Sequence, residues 1–248
     1  MDAEIHEFAE LLGSSRRLVV FTGAGISTES GIPDFRSPGG LWDKNKPIEF
    51  SEFMRSEEAR KESWRRKFAM DSVLSKAEPN KGHMAISSLY TQGKLEAIIT
   101  QNIDGLHQMS GVKEEDVIEV HGNTTYAKCL SCYEKMTLDE VREIFDRDET
   151  LPLCKFCGGI IKTATISFGQ AMPVAEMRRA ERAAQAADMF IAIGSSLVVY
   201  PAADLPLVAK QSGAKLVILN REATPLDPYA DIVLQREIGE TLDFVTKM

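Results

Sequence analysis

The chain has no long apolar run. Within its 248 residues no stretch approaches the ~18 apolar residues that a membrane-spanning helix requires. Its opening, M-D-A-E-I-H-E-F, is acidic, where a secretory signal is basic and then apolar. The expectation is a soluble, cytoplasmic protein with no membrane partner. Positive charge is also in deficit: 29 Lys and Arg stand against 37 Asp and Glu, a formal net charge of −8. Such a surface does not draw a nucleic-acid backbone, so no direct nucleic-acid partner is expected, and it suits a basic polypeptide better. Tyrosine first occurs at Tyr90, and neither an internal repeat nor a low-complexity segment is present. Cysteine is scarce, with four residues all falling between positions 129 and 157. That clustering in a reducing compartment points to metal rather than disulfides.

Short, continuously apolar runs recur: 17–22, 95–101, 117–120, 189–193, 215–220 and 231–234. Runs of this length without alternation suit strands buried on both faces of a parallel sheet. Helical periodicity lies between them, at 3–12 with Gly13 as its stop, and at 83–92, 174–187 and 202–211, the last following Pro201. Alternating strands and helices predict an α/β fold with a doubly wound, Rossmann-like parallel sheet. Two stretches break the rhythm. Residues 37–78 begin with S-P-G-G and continue into a charged, helical run over 50–74, and residues 123–162 hold the cysteines and a short helix near 138–145. The expected organisation is a Rossmann-like domain from 1–36, 79–122 and 163–248, with a smaller domain made of the 37–78 helical insert and a 123–162 zinc ribbon.

Three motifs lie at strand ends. The first strand runs into Gly23-Ala24-Gly25-Ile26-Ser27, where glycines bring backbone N–H groups close to a pyrophosphate. Thr28 occupies the place of the third glycine, so a tight turn needing glycine only for its backbone angles stays open. The second strand ends in Gln101-Asn102-Ile103-Asp104. Asn102 and Asp104 either orient a carboxamide or cap the helix that follows. His121 follows the third strand and is either structural or a base of suitable pKa. His107 is read as structural, and His6 and His83 carry no assignable chemistry. Cys129-x-x-Cys132 and Cys154-x-x-Cys157, separated by residues 133–153, match a structural zinc ribbon, with every tetrahedral position taken by a thiolate.

Read together, T-G-A-G-I-S-T-E-S-G-I-P-D-F-R from Thr22 to Arg36, T-Q-N-I-D, V-H-G-N and the paired C-x-x-C motifs resemble the sirtuins, NAD-dependent protein deacylases, over nearly the whole chain. The resemblance implies an NAD site formed by Gly23, Ala24, Gly25, Ile26 and Ser27, by Asp34, Phe35 and Arg36 of a cofactor loop, and by Gln101, Asn102, Ile103 and Asp104. The adenosine half falls to Gly194, Ser195, Ser196, Asn220, Arg221, Glu222 and Ile238. Catalysis falls to His121, Asn102 and Asp104. Ile166, Phe168, Gly169, Val198 and Val199 would clamp an acyl-lysine peptide or protein as a sandwiched strand, although Ser167 and Gln170 depart from the family's V-F-F-G-E. The cofactors implied are NAD and one structural zinc, and the products are free lysine, nicotinamide and O-acyl-ADP-ribose. No Tyr-x-x-Arg pair lies in 37–78, which argues against acidic acyl groups. Two alternatives remain: a mono-ADP-ribosyltransferase on the same NAD site, and a noncatalytic NAD-sensing module.

Overall fold

The structure is a computed structural model and describes residues 3–34 and 46–248. Phe35, Arg36 and the S-P-G-G loop lie outside the described residues. In chain order the elements are α1 (Ala3–Ser14), β1 (Leu18–Thr22), a 3₁₀ turn (Ala24–Ser30), α2 (Phe50–Arg55), α3 (Glu57–Leu74), α4 (Lys81–Thr91), β2 (Leu95–Thr100), α5 (Leu106–Met109), β3 (Val117–Glu119), β4 (Gly122–Cys129), β5 (Lys135–Thr137) and α6 (Leu138–Phe145). There follow β6 (Ile161–Thr165), α7 (Val174–Ala186), β7 (Met189–Ile193), α8 (Leu205–Gln211), β8 (Lys215–Leu219), β9 (Ile232–Leu234) and α9 (Ile238–Val245).

All six apolar runs become strands of one parallel sheet, ordered β3-β2-β1-β7-β8-β9. Successive side chains on a strand point to opposite faces, and both faces are apolar. Leu18 and Val20 join Phe8, Leu12, Ile86, Leu89 and Leu242 in one core, under α1, α4 and α9. Val19 and Phe21 join Phe190, Ala180, Ala184, Leu205 and Ala209 in the other, under α7 and α8. The order reverses direction between β1 and β7, a switch point whose carboxyl end is where such sheets bind ligands.

A second, antiparallel sheet orders β5-β4-β6. Its core holds Ala127, Cys129, Val141, Phe145, Cys154 and Ile161, and it also takes Trp64 from α3. Trp64 stacks on Phe68 at 5.7 Å between ring centroids, and Phe68 meets Phe145 at 5.8 Å. The helical segment and the cysteine-bearing segment therefore share one small core. Among the described residues no helix is long and apolar enough to cross a membrane.

Three local expectations are corrected, and the glycine turn takes a form the sequence left open. Helix α1 passes through Gly13 and ends at Ser14, whose hydroxyl donates to the Leu11 carbonyl. The run at 50–74 divides at Ser56, whose extended backbone ends α2 and whose hydroxyl caps α3 by accepting from Ala59 N–H. The glycine turn leads into a 3₁₀ turn rather than an α-helix. After Pro201 a 3₁₀ turn at Ala202–Asp204 precedes the α-helix, which begins at Leu205 with Pro206 in its first turn.

One buried cation is set into this frame. Lys162 on β6 is 3% exposed, and its ammonium donates to the backbone carbonyls of Thr165 and Thr163 and lies 5.9 Å from the centre of the Phe53 ring. Burial, with a smaller push from Lys128, lowers its pKa to about 7. Between pH about 7 and the unfolded value near 10.4, the unfolded chain holds this proton and the folded chain does not. Stability therefore rises with pH through that window, by up to ~1.4 kcal/mol per pH unit. Urea unfolding of the native chain and of Lys162→Met should diverge accordingly: the rise is present in the first and absent in the second.

Candidate active site

The carboxyl ends of β1, β2, β3, β7, β8 and β9 open onto a cleft of about 1070 Å³, whose opposite wall comes from α2, α3 and the segment after β6. Every strand contributes a motif. Gly23 follows β1, Gln101 follows β2, His121 follows β3, Gly194 follows β7, Asn220 follows β8 and Arg236 follows β9.

Where β1 and β7 end, backbone packs on backbone. A Cβ on Gly23 or Gly25 would sit 2.7 Å from Gly194 atoms, and one on Gly194 would sit 2.4 Å from Ile26 N. Gly194 also has a φ of +62°. The glycine N–H groups are spent here: Gly23 donates to Ile193 O, Gly25 to Gly194 O, and Gly194 to Leu219 O. The glycines here serve close approach of the two strand ends, with their own N–H groups engaged by backbone carbonyls. Ala24, Gly25, Gly194, Ser195 and Ser196 still line the cleft, whereas Gly23, Ile26 and Ser27 lie behind its wall.

Behind that wall lies a compact polar cluster. Asn102 donates from Nδ2 to Gly23 O and to Ser27 Oγ, each at 3.1 Å. The Ser27 hydroxyl donates to Asp104 Oδ2 at 2.8 Å, and Asp104 Oδ1 accepts from Leu106 N–H at 3.0 Å. Burial raises the Asp104 pKa, opposed by the Leu106 and Ser27 bonds. Asp104 thus ties Ser27 to the first N–H of α5, whose N-cap position is Gly105, while Asn102 turns inward and caps nothing. Asn102 and Ile103 form the cleft surface over this cluster.

His121 lines the cleft, with Nδ1 3.2 Å from the Gln101 carbonyl. A carbonyl only accepts, so this bond puts the proton on Nδ1 and leaves Nε2 as the basic nitrogen. The next residue, Gly122, has a φ of +76°, and a Cβ there would meet Ala164 O at 2.1 Å, so the H-G pairing is a backbone requirement. Gln101 Oε1 accepts from the Ser195 hydroxyl at 2.7 Å. On the far side Asn220 donates to Glu222 O, Arg221 pairs with Glu237 at 2.9 Å, and Ile238 opens α9. All five line the cleft, and Asp34 lies on it too.

Of the expected peptide-clamping residues, Ile166, Phe168, Gly169 and Val199 line the cleft. Val198 does not and is 43% exposed, because its neighbours Leu197 and Val199 take the inward positions. The segment is tied to the base: Ile166 N–H donates to His121 O at 2.8 Å, and Phe50 N–H donates to Phe168 O at 2.8 Å. Phe53, Ser63, Arg66, Met70 and Val73 also line the cleft and went unassigned from sequence. The last four recur at a spacing of three or four, one face of α3, while Trp64 and Phe68 face the small core. Helical periodicity carries that division, but not which face meets a ligand.

The cysteines converge into one group, with all sulfurs within 4.8 Å of one another and neighbouring pairs 3.4, 3.5 and 3.6 Å apart. A disulfide brings sulfurs to about 2.05 Å. A tetrahedron with zinc–sulfur bonds of about 2.3 Å sets them ~3.8 Å apart. The donor set therefore fits one zinc ion with no ligand position left over.

Comparison with known proteins agrees with this architecture. The sequence model of the Sir2 family matches residues 23–201. An NAD-dependent protein deacetylase of Rhodopseudomonas palustris is 57% identical, over 98% of this chain and 96% of its own. NAD-dependent protein deacetylase 1 of Bradyrhizobium diazoefficiens is 56% identical, over 96% of this chain and 93% of its own. Among solved structures, a Sir2 protein with a deacetylated peptide and 3′-O-acetyl ADP ribose superposes with a TM-score of 0.88 at 38% identity, covering 98% of this chain and 97% of that one. The chain belongs to the Sir2 family.

Proposed function

We propose that this chain is an NAD-dependent protein-lysine deacylase, with acetyl as its default acyl group, releasing nicotinamide and O-acyl-ADP-ribose. The observation that carries the reading is His121, held by the Gln101 carbonyl with Nε2 as its base, beside the Asn102–Ser27–Asp104 cluster at the switch point of a parallel sheet. Its relatives' names and the peptide and acetyl ADP ribose of the related structure point the same way.

NAD supplies an anomeric carbon carrying a cationic leaving group. The chain's own residues do the rest. Asp104 and the Ile103 backbone orient the nicotinamide carboxamide, and Asn102 and Gln101 hold the adjacent ribose. Ser195, Ser196, Asn220, Arg221, Glu222 and Ile238 hold the adenosine half. His121 takes a proton at Nε2 from a ribose hydroxyl after the acyl oxygen has attacked, which proximity makes an effectively unimolecular step. Ile166, Phe168, Gly169 and Val199 clamp the peptide and enclose the lysine stem. The four thiolates hold a structural zinc, since a filled tetrahedron leaves no position for a catalytic water. Thiols gathered this way suit a reducing compartment, which we take to be the cytoplasm.

The acyl preference follows from pairing on the cleft wall. Arg65 is bound by Glu149 and Glu58, and Arg66 by Glu62, so these guanidiniums already have carboxylate partners. That favours a neutral acyl group over an acidic one.

Incubation with NAD and an acetyl-lysine peptide, followed by mass spectrometry, should give deacetylated peptide and O-acetyl-ADP-ribose only when NAD is present. An ADP-ribose mass added to protein, without loss of acetyl, would instead favour transferase chemistry. His121→Ala should lower kcat by about a hundredfold or more while leaving NAD affinity, read by calorimetry, unchanged. Metal analysis should find one zinc per chain. Cys132→Ala should lose it and lower the melting midpoint by roughly 10 °C or more, the shift expected for a loss of ~3 kcal/mol or more in a chain of this size.

A further inference from the structure

Two histidines to which the sequence assigned no chemistry are buried beneath the site. His83 on α4 is fully buried and His107 on α5 is 2% exposed. Their ring centroids are 5.1 Å apart. Among the described residues only three buried side-chain nitrogens or oxygens lack a hydrogen-bond partner; two of them are His83 Nε2 and His107 Nδ1. Unpartnered buried polar atoms are costly and call for an explanation.

The remaining nitrogens fix the protons. His83 Nδ1 accepts from the Asn80 backbone N–H at 3.4 Å, so its proton sits on Nε2. The Thr22 hydroxyl donates to Thr100 Oγ1 at 2.8 Å, so at 2.9 Å it accepts from His107 Nε2. His107 Nδ1 is then a bare acceptor, and the neighbouring His83 Nε2–H is a donor. The two orphaned atoms are complementary, a donor and an acceptor on neighbouring rings, and one bridging water would satisfy both. Burial lowers the pKa of His83 to about 4 and that of His107 to about 3, so both rings stay neutral. The chain of bonds continues to the site: Thr100 Oγ1 also accepts from Asn102 N–H at 3.0 Å, at the turn where β2 passes into Gln101-Asn102.

We infer that His107, backed by His83, is a positioning residue: a neutral pair of imidazoles that fixes the hydroxyls of Thr22 and Thr100 and, through Thr100, the backbone that presents Asn102. The pair touches neither cofactor nor substrate. Without the His107 donor, the Thr22 hydroxyl is free to turn, Thr100 loses a fixed partner, and the turn carrying Asn102 loses its register. This inference rests on the deacylase reading for its kinetic consequence but not for its structural content.

The test has two arms. In the ¹⁵N-labelled, zinc-loaded full chain, which has four histidines, long-range imidazole spectra at about pH 7 should show His83 and His107 both as Nε2–H tautomers. Both should stay neutral at about pH 5, where free histidine is protonated. A His107 carrying its proton on Nδ1, or a charged ring at that pH, overturns the relay without reference to activity. In the second arm, His107→Leu should lower kcat ten- to a hundredfold, of the order that a displacement of about 1 Å costs, with KM for NAD changed less than about threefold. His107→Gln keeps a donor near Nε2 and should recover most of kcat. Adding Thr22→Val to His107→Leu should cost little more, since both break the same link. An unchanged kcat in a folded His107→Leu chain, or a loss that Gln does not recover, overturns the positioning role. A native chain without deacylase activity would overturn the functional reading, and the spectra would still decide the relay.

Discussion

Everything in this site depends on how closely two strand ends approach. β1 and β7 run side by side, and where they stop, Gly23, Gly25 and Gly194 meet with no side chain between them. That contact sets the spacing of the switch point. It seats Gly23 O where Asn102 reaches it, and Ser27 where it links Asn102 to Asp104. A methyl group at any of the three positions would push the walls of the cleft apart before it met a ligand. The cost would combine overpacking with, at Gly194, a left-handed backbone that a side chain resists.

The small domain works by a different principle. Its three-stranded sheet is too slight to hold a core of its own, and it recruits an aromatic pair from α3 and four cysteines. Because α3 gives one face to this core and the other to the cleft, the packing that stabilises the small domain also builds the wall of the site. The metal-binding layer and the cleft wall are therefore coupled through Trp64 and Phe68, although no cysteine lines the cleft.

The strands of the parallel sheet were legible because strands buried on both faces read as unbroken apolar runs, and Leu18 to Phe21 serve two cores at once. The cysteines were legible from spacing alone. The glycines were half legible: their need was visible, but the choice between lending an amide and clearing space depends on β7, which lies far away in sequence. Asp104 looked like either a cap or a site residue; its two oxygens in fact join the Leu106 N–H to the Ser27 hydroxyl, a link across elements that local sequence does not reveal. The inward face of α3 and the pairing of His83 with His107 exist only after helices dock, so no local pattern announces them. The exposure of Val198 was hidden for the opposite reason: a motif places a residue in a segment but does not say which way alternate side chains point.

β3 ends at Glu119 and β4 begins at Gly122, so Val120 and His121 are the link between the two sheets. His121 thus sits at the joint between the two layers, and its carbonyl accepts the N–H of Ile166, the residue that follows β6. The imidazole and the start of the antiparallel layer therefore share one stretch of backbone, since His121 is bonded directly to Gly122. On the proposed reading, a polypeptide seated along 166–169 bears on a segment that is hydrogen-bonded to His121.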